Sequence, residues 1–169
     1  MIKLTEKLML NRTQKLPFDI VNVDATLSLP IDMRTRSRAR VKLDDGRDAG
    51  LFLERGSLVR GGDLLLSDDG LVVKVLAANE TVSTVYSENP LQLMRAAYHL
   101  GNRHVPLQVD KTWLRYQHDA VLDSMLKQMG LEVLVEHAAF EPEAGAYHQE
   151  GEHDHSNLDN SNANNRHEY

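Results

Sequence analysis

Histidine placement is the main chemical signal in this 169-residue chain, because the chain contains no cysteine. The absence of thiols excludes disulfides, thiolate nucleophiles and sulfur-ligated zinc or iron–sulfur sites. Any metal ion would therefore be held by His, Asp, Glu, Met or backbone groups. Four of the eight histidines lie in the last part of the chain: His148, His153, His155 and His167.

Three of these histidines share a short segment with carboxylates. The segment reads His-Gln-Glu-Gly-Glu-His-Asp-His over residues 148–155. A His-x-His pair on flexible backbone can close around one ion, and imidazole suits nickel, copper and zinc alike. The pattern predicts a divalent-metal site at His148, His153 and His155. The alternative is an acidic, solubilising tail in which the histidines are incidental.

Two further histidines bracket the end of a predicted helix. His99 lies in its last turn, where it could face the terminal carbonyl groups, and His104 lies three residues past Gly101. One imidazole is a poor metal site, whereas two imidazoles meeting across the twofold axis of a homodimer would make a better one. Otherwise His104 is an exposed loop residue without a ligand. His118, at the start of a second predicted helix, could be an auxiliary ligand or a surface residue.

Motifs typical of enzymes are missing. No serine lies in a G-x-S-x-G context, and the sequence has neither a phosphate-binding glycine loop nor an H-E-x-x-H helix. A net charge of −6 argues against non-specific binding to nucleic acid. The N-terminus lacks the apolar core of a secretory signal, and no stretch approaches the roughly 20 apolar residues of a membrane span. We therefore expect a cytoplasmic binding protein, not an enzyme.

Three regions of different pattern must position these residues. Residues 1–76 read as short strands separated by turns, which predicts an all-β domain, either a small barrel or a sandwich. Residues 77–147 follow the order β-α-β-β-α-β, which is the ferredoxin-like arrangement. Residues 148–169 are too polar to build a core, and we expect them to be disordered. The predicted fold class is α+β.

The elements of the second region have recognisable boundaries. Asn89-Pro90 predicts the start of the first helix, and Gly101 predicts its end. The second helix is predicted to begin at His118 and to end at Gly130. Strands are predicted over residues 81–86, 105–109, 112–116 and 131–135.

Basic residues occupy every even position from Arg34 to Lys42. In a strand these five side chains would face one side, which predicts a half-exposed strand with a cationic outer surface. The common role of such a strand is a solvated edge that discourages aggregation. The basic pattern also leaves open that the protein is a peptide- or RNA-binding module that uses residues 34–42. In that case the histidines would have no role in metal binding.

Three segments resemble the UreE family of urease accessory proteins. Residues 98–108, Tyr-His-Leu-Gly-Asn-Arg-His-Val-Pro-Leu-Gln, are similar to the hallmark stretch of that family. Residues 45–56 and 60–65 resemble its N-terminal domain, and residues 140–147 resemble the stretch before its variable tail. The resemblance covers nearly the whole chain up to about Tyr147.

The resemblance implies a peptide- or partner-binding β domain followed by a ferredoxin-like metal-binding domain. It implies a homodimer in which two copies of His104 share one nickel ion, completed or extended by tail histidines such as His148, His153 and His155. His118 occupies a position where some members have a further ligand, whereas Ala120 stands where certain relatives have another histidine.

The function implied is that of a nickel metallochaperone. Such a protein hands its ion to a GTPase accessory protein and then to the urease apoprotein complex. Copper and zinc should compete in vitro, and binding should weaken as the pH falls toward the ordinary histidine pKa near 6.5. The alternative is a general divalent-metal buffer or storage protein, although the sparse tail predicts a capacity of few ions.

Overall fold

The computed structural model describes residues 1–8 and 22–147. The tail predicted to be disordered, which carries His148, His153 and His155, lies outside the described residues. Within the described part of the chain, no helix is both long and apolar enough to cross a membrane.

The first half of the chain forms one six-stranded sheet with the strand order β2-β6-β5-β1-β4-β3. Its elements are β1 (Ile2–Leu8), β2 (Ala25–Leu29), a one-turn helix α1 (Ile31–Arg34), β3 (Arg38–Lys42), β4 (Asp48–Phe52), β5 (Leu64–Ser67) and β6 (Val72–Ala77). The pairs β1–β4 and β2–β6 are parallel, and the other neighbours are antiparallel. Leucines and valines from every strand fill one core, which confirms the predicted all-β domain.

The two edges of this sheet approach each other at Asp44. Its N–H donates to the Thr26 carbonyl at 3.0 Å, and its carboxylate accepts hydrogen bonds from Thr26 and Ser28. Burial opposes ionisation of this carboxyl, but those hydrogen bonds outweigh it and hold the pKa of Asp44 below its usual value. The sheet therefore curls toward a barrel.

The second half of the chain forms a four-stranded antiparallel sheet with the order β10-β7-β9-β8. Its elements are β7 (Asn79–Tyr86), α2 (Pro90–Gly101), β8 (Gln108–Val109), β9 (Trp113–Gln117), α3 (Ala120–Gln128) and β10 (Glu132–Ala139), followed by a 3₁₀ helix (Ala144–Tyr147). Both helices pack on one face, where Leu93, Leu100 and Leu126 meet Leu114 and Tyr116. This order confirms the predicted ferredoxin-like domain.

Side-chain caps fix where the two helices begin. The Asn89 side chain accepts the Leu91 N–H at 3.0 Å, and Asp119 accepts the N–H groups of Val121 and Leu122. The second helix therefore begins at Ala120, and the prediction that His118 begins it was wrong by two residues. His118 lies just before the cap.

Two strand boundaries also differ from the prediction. Strand β8 contains only Gln108 and Val109, so residues 105–107 are not a strand. Strand β10 extends to Ala139 because it pairs with β7 along eight consecutive residues. Alternation of apolar residues stops before that end, and the pattern alone did not predict the added length.

The prediction of one basic strand over residues 34–42 was wrong. Arg34 belongs to helix α1 and is fully buried, and Arg36 lies between that helix and β3. Only Arg38, Arg40 and Lys42 lie together on the exposed side of β3. The alternating pattern gave no sign that Arg34 has hydrogen-bond partners more than 100 residues away in the sequence.

The two sheets are in direct contact. Strand β6 ends at Ala77 and β7 begins at Asn79, so one residue joins them. Ile31 from the first half packs with Val82 and Phe140 from the second in a small buried cluster. The Ile31 N–H also donates to the Glu80 carboxylate at 2.8 Å.

A charged cluster lies on the face of the second sheet opposite its helices. The Glu136 carboxylate accepts hydrogen bonds from the Thr84 hydroxyl at 2.5 Å and from Arg115 at 3.0 Å. The Thr84 hydrogen bond, followed by the Arg115 guanidinium, lowers the pKa of Glu136. Arg115 also donates to the Ala139 carbonyl at 2.9 Å, so this cluster reaches the end of β10.

Candidate metal centre

His104 occupies the left-handed position of the turn that ends helix α2. The His104 N–H donates to the Gly101 carbonyl at 2.9 Å, and the Val105 N–H donates to the Leu100 carbonyl at 3.2 Å. These two bonds form a Schellman motif, in which the residue between them usually has positive φ. His104 has φ of 56°, and it is the only non-glycine residue in the described ranges with positive φ.

Helix α3 ends in the same motif with glycine at the corresponding position. Gly130 has φ of 82°, and the Leu131 N–H donates to the Leu126 carbonyl at 3.1 Å. Glycine carries no Cβ and adopts this conformation freely, whereas an L-residue there costs about 1–2 kcal/mol. His104 therefore stores local strain, which is found mainly at functional positions.

Gly101 was predicted to end helix α2 as a C-terminal glycine, the role in which glycine usually takes a left-handed conformation. Helix α2 does end at Gly101, but this glycine does not have positive φ. The side chain of His104 is exposed, as expected for a loop residue. The strained turn thus presents an accessible imidazole.

The surface that leads to His104 is apolar. Leu91, Met94 and Tyr98 are 58%, 61% and 65% exposed, and their spacing places them on one side of α2. Tyr98 meets the half-buried His99 edge to face, with 5.3 Å between ring centroids. The His99 carbonyl accepts a 2.8 Å hydrogen bond from Arg103, which helps to fix the turn before His104.

His118 is held by a buried polar cluster. Its Nδ1 lies 3.1 Å from the Ser83 hydroxyl and 3.2 Å from the Asp123 carboxylate. The Tyr116 hydroxyl donates to Asp123 at 2.7 Å. Burial, reinforced by this bond to the Asp123 carboxylate, raises the pKa of the Tyr116 phenol far above its usual value, so the phenol stays protonated. With Nδ1 engaged, Nε2 is the ring nitrogen left for an ion, an arrangement typical of oriented histidine ligands.

This cluster contains Ser, His and Asp but differs from a catalytic triad. Ser83 and Asp123 both approach the same ring nitrogen of His118, whereas a triad places the nucleophile and the acid on opposite nitrogens. Ser83 is also fully buried. The arrangement orients an imidazole and does not activate a serine.

The chain reaches the tail beside the His104 loop. After β10, the Glu141 N–H donates to the Gln108 side chain at 2.9 Å, and the Glu143 N–H donates to the Leu107 carbonyl at 2.7 Å. Leu107 is three residues from His104, and Glu143 is five residues from His148. These contacts were not predicted, because nothing in the sequence pattern links residue 143 to residue 107.

The described residues do not gather a complete set of ligands. Residues 1–8 and 22–147 contain no cluster of three or more His, Asp or Glu side chains arranged to hold an ion. His104, His99 and His118 stand in different local settings, and the predicted ligands His148, His153 and His155 lie outside the described ranges.

Comparison with known proteins identifies the family. Residues 9–78 match the model of the UreE urease accessory protein N-terminal domain, and residues 80–169 match that of its C-terminal domain. Relatives named urease accessory protein UreE occur in Alcanivorax borkumensis (59% identity over 76% of each chain) and Shewanella halifaxensis (54% identity over 87% of this chain and 80% of the relative). A third, from Citrobacter koseri, is 60% identical over 76% of this chain and 85% of the relative.

These matches place the chain in the class of urease accessory proteins. Within that class, the chain belongs to the UreE family. The predicted resemblance is confirmed over both halves of the chain.

Proposed function

We propose that this protein is a nickel metallochaperone that holds one nickel ion between two copies of itself and delivers it for assembly of the urease active site. The observation that carries the proposal is His104, an exposed imidazole kept in a left-handed conformation where the equivalent turn of α3 has glycine. A protein that needed only a helix end there would gain stability from glycine. A histidine in that strained position is explained by a ligand role.

The proposed homodimer buries the apolar side of α2. Leu91, Met94 and Tyr98 form an exposed stripe that runs toward the His104 turn. Packing this stripe against its copy across a twofold axis would remove apolar surface from water and bring the two His104 side chains together. The dimer and the metal site would then share one surface.

The proposed ligands are His104 from each copy, with His148, His153 and His155 completing the coordination from the tail. His99 and His118 are auxiliary candidates. Nitrogen ligands on an open site bind nickel without thiolates and exchange readily, which suits a protein that must release its ion. Copper and zinc would compete for the same imidazoles in vitro.

The division of labour follows the three predicted regions. Residues 1–76 would bind a peptide or partner, residues 77–147 would bind metal and form the dimer, and residues 148–169 would supply additional ligands. The proposed recipients are the urease GTPase accessory protein and the urease apoprotein complex, in the cytoplasm. The protein would act by binding and transfer, not by catalysing a reaction.

A reconstituted transfer assay tests this function. Urease apoprotein and its GTPase accessory proteins are mixed with the nickel-loaded chain, and urease activity is followed with time. We expect the wild-type protein and His137→Ala, a change of an exposed histidine on β10, to restore activity equally. His104→Ala should fail at limiting nickel, and equal activation by His104→Ala would refute the proposal.

A further inference from the structure

Strand β3 lies at the edge of the first sheet, and its outer side carries unpaired backbone groups. Among the described residues it has β4 as its one neighbour, in antiparallel register. The Leu53 N–H donates to the Ser37 carbonyl at 2.8 Å, so these two residues form a hydrogen-bonded pair. Because such pairs alternate along an antiparallel ladder, the N–H and C=O groups of Arg38 and Arg40 point away from β4. In residues 1–8 and 22–147, no hydrogen bond reaches these groups.

The other end of β3 is closed. Just past it, the Asp44 N–H donates to a carbonyl of β2 at 3.0 Å. Lys42 stands opposite Asp48 in the register with β4, so its charge has a carboxylate nearby. The open part of the edge is therefore the half that contains Arg38 and Arg40.

Unpaired arginine side chains surround this open half. They are all exposed, and none forms an ion pair with a carboxylate of the described ranges: Arg36, Arg38, Arg40 and Arg55. Three of them, Arg36, Arg38 and Arg55, line one open cavity together with the side chains of Thr35 and Ser37. The whole chain has a net charge of −6, so this local excess of positive charge is opposite in sign to the molecule that carries it. The surface favours an anionic ligand.

The backbone and the side chains of this edge together define the ligand. A second copy of β3 fits poorly, because edge-to-edge pairing would bring arginines next to arginines, and like charges destabilise neighbouring strands. An extended acidic segment has the complementary pattern. Its alternate carboxylates would reach Arg38 and Arg40, while its backbone would pair with the free N–H and C=O groups of the same two residues.

We propose that the Arg38–Arg40 half of β3 binds an extended acidic segment of a partner protein, which joins the first sheet as a further strand. Backbone hydrogen bonds supply the affinity, and the arginines select carboxylates at alternate positions. The inference rests on the partner-binding role proposed above for residues 1–76, and it is independent of the nickel site.

Fluorescence anisotropy with the metal-free full-length chain tests this interface. The probe is a labelled peptide of alternating Glu and Thr, about ten residues long, since Thr favours strands and keeps the peptide soluble. Arg38→Gln/Arg40→Gln is compared with Lys111→Gln/Lys127→Gln, which removes two exposed cations of the second domain. Thermal unfolding checks that each variant is folded, and the two single arginine variants replace the double variant if it is not.

Two further peptides separate strand addition from simple charge attraction. One has the probe sequence with every backbone nitrogen methylated, so it keeps the carboxylates but cannot donate ladder hydrogen bonds. The other alternates Lys with Thr. We expect the arginine variant to bind the acidic probe about three- to tenfold more weakly than wild type, and the lysine variant to bind it normally. The methylated and the basic peptides should not bind.

Several results would overturn the proposal. Unchanged affinity in the arginine variant would move any partner site of residues 1–76 away from this edge. Equal binding of the methylated peptide would show charge attraction without strand addition. Tighter binding of oligouridylate, lost in the arginine variant, would assign the edge to nucleic acid, and self-association lost in that variant would assign it to a second copy. Failure of the nickel site would appear separately, as tight nickel binding that survives His104→Ala while peptide binding is unchanged.

Discussion

Replacing His104 with glycine should stabilise the protein while removing its proposed metal ligand. The residue has φ of 56° in a Schellman motif, where α3 uses Gly130. Because the His104 side chain is exposed, little packing is lost when it is removed. Stability and metal binding should therefore change in opposite directions.

The magnitude follows from the backbone conformation. An L-residue in the left-handed region costs about 1–2 kcal/mol, and the larger conformational entropy of glycine in the unfolded chain returns about 0.5–1 kcal/mol of that gain. The midpoints of these two ranges give a net stabilisation of about 0.75 kcal/mol for His104→Gly. For a chain of this length, that corresponds to an increase in Tm of about 1–4 °C.

Metal-free thermal and urea unfolding measure the effect, with two controls. His104→Ala keeps an L-residue in the same conformation and should unfold within about 0.5 kcal/mol of wild type. Gly130→Ala should lose roughly 0.75 kcal/mol by the same balance in reverse, since a Cβ there meets no atom within 4 Å and only the backbone terms remain. If His104→Gly is no more stable than His104→Ala, the strain argument is refuted.

Three further predictions test other parts of the structure. Glu136→Gln should lower the free energy of unfolding by about 0.5–1 kcal/mol at pH 7. Because the pKa of Glu136 is lowered in the folded state, this loss of stability should be complete above about pH 4.5 and should vanish as the pH falls further. Urea unfolding from pH 7 to pH 3 measures it. Met94→Glu should place a charge in the exposed stripe of α2 and weaken the proposed dimer at least tenfold in sedimentation, whereas an unchanged dimer would locate the interface elsewhere. His118→Ala should lower the number of weakly bound nickel ions without affecting the most tightly bound one. Asp123→Asn should have a smaller effect of the same kind, because Asp123 helps to orient the His118 imidazole. Loss of the most tightly bound ion would make His118 a principal ligand.

Local signals in the sequence predicted most of the second domain. The cap Asn89 and the periodicity of both helices depend on close neighbours in the chain, which short patterns record. The cap Asp119 was not predicted, because the second helix was expected to begin at His118. The short apolar runs and the turns between them in the first half likewise predicted an all-β domain but not its strand order, because parallel pairs such as β1–β4 join distant segments.

The parts that the sequence did not predict depend on long-range contacts. Arg34 looked like one member of a cationic strand, yet its partners lie at Phe140 and Glu141. The Arg60-Gly61-Gly62-Asp63 stretch was interpreted as a tight turn, which it is, but its contact with Glu141 spans about 80 residues. For the site, the exposed position of His104 was predictable from Gly101, whereas its left-handed backbone was not, because glycine normally takes that place.

The most direct test of the central claim is nickel titration of the full-length chain and of His104→Ala, with the oligomeric state measured on the same samples. The account predicts a dimer that binds about one nickel ion tightly, and loss of that binding in His104→Ala while the protein remains folded. Tight binding of one ion per dimer that persists in His104→Ala would contradict the account.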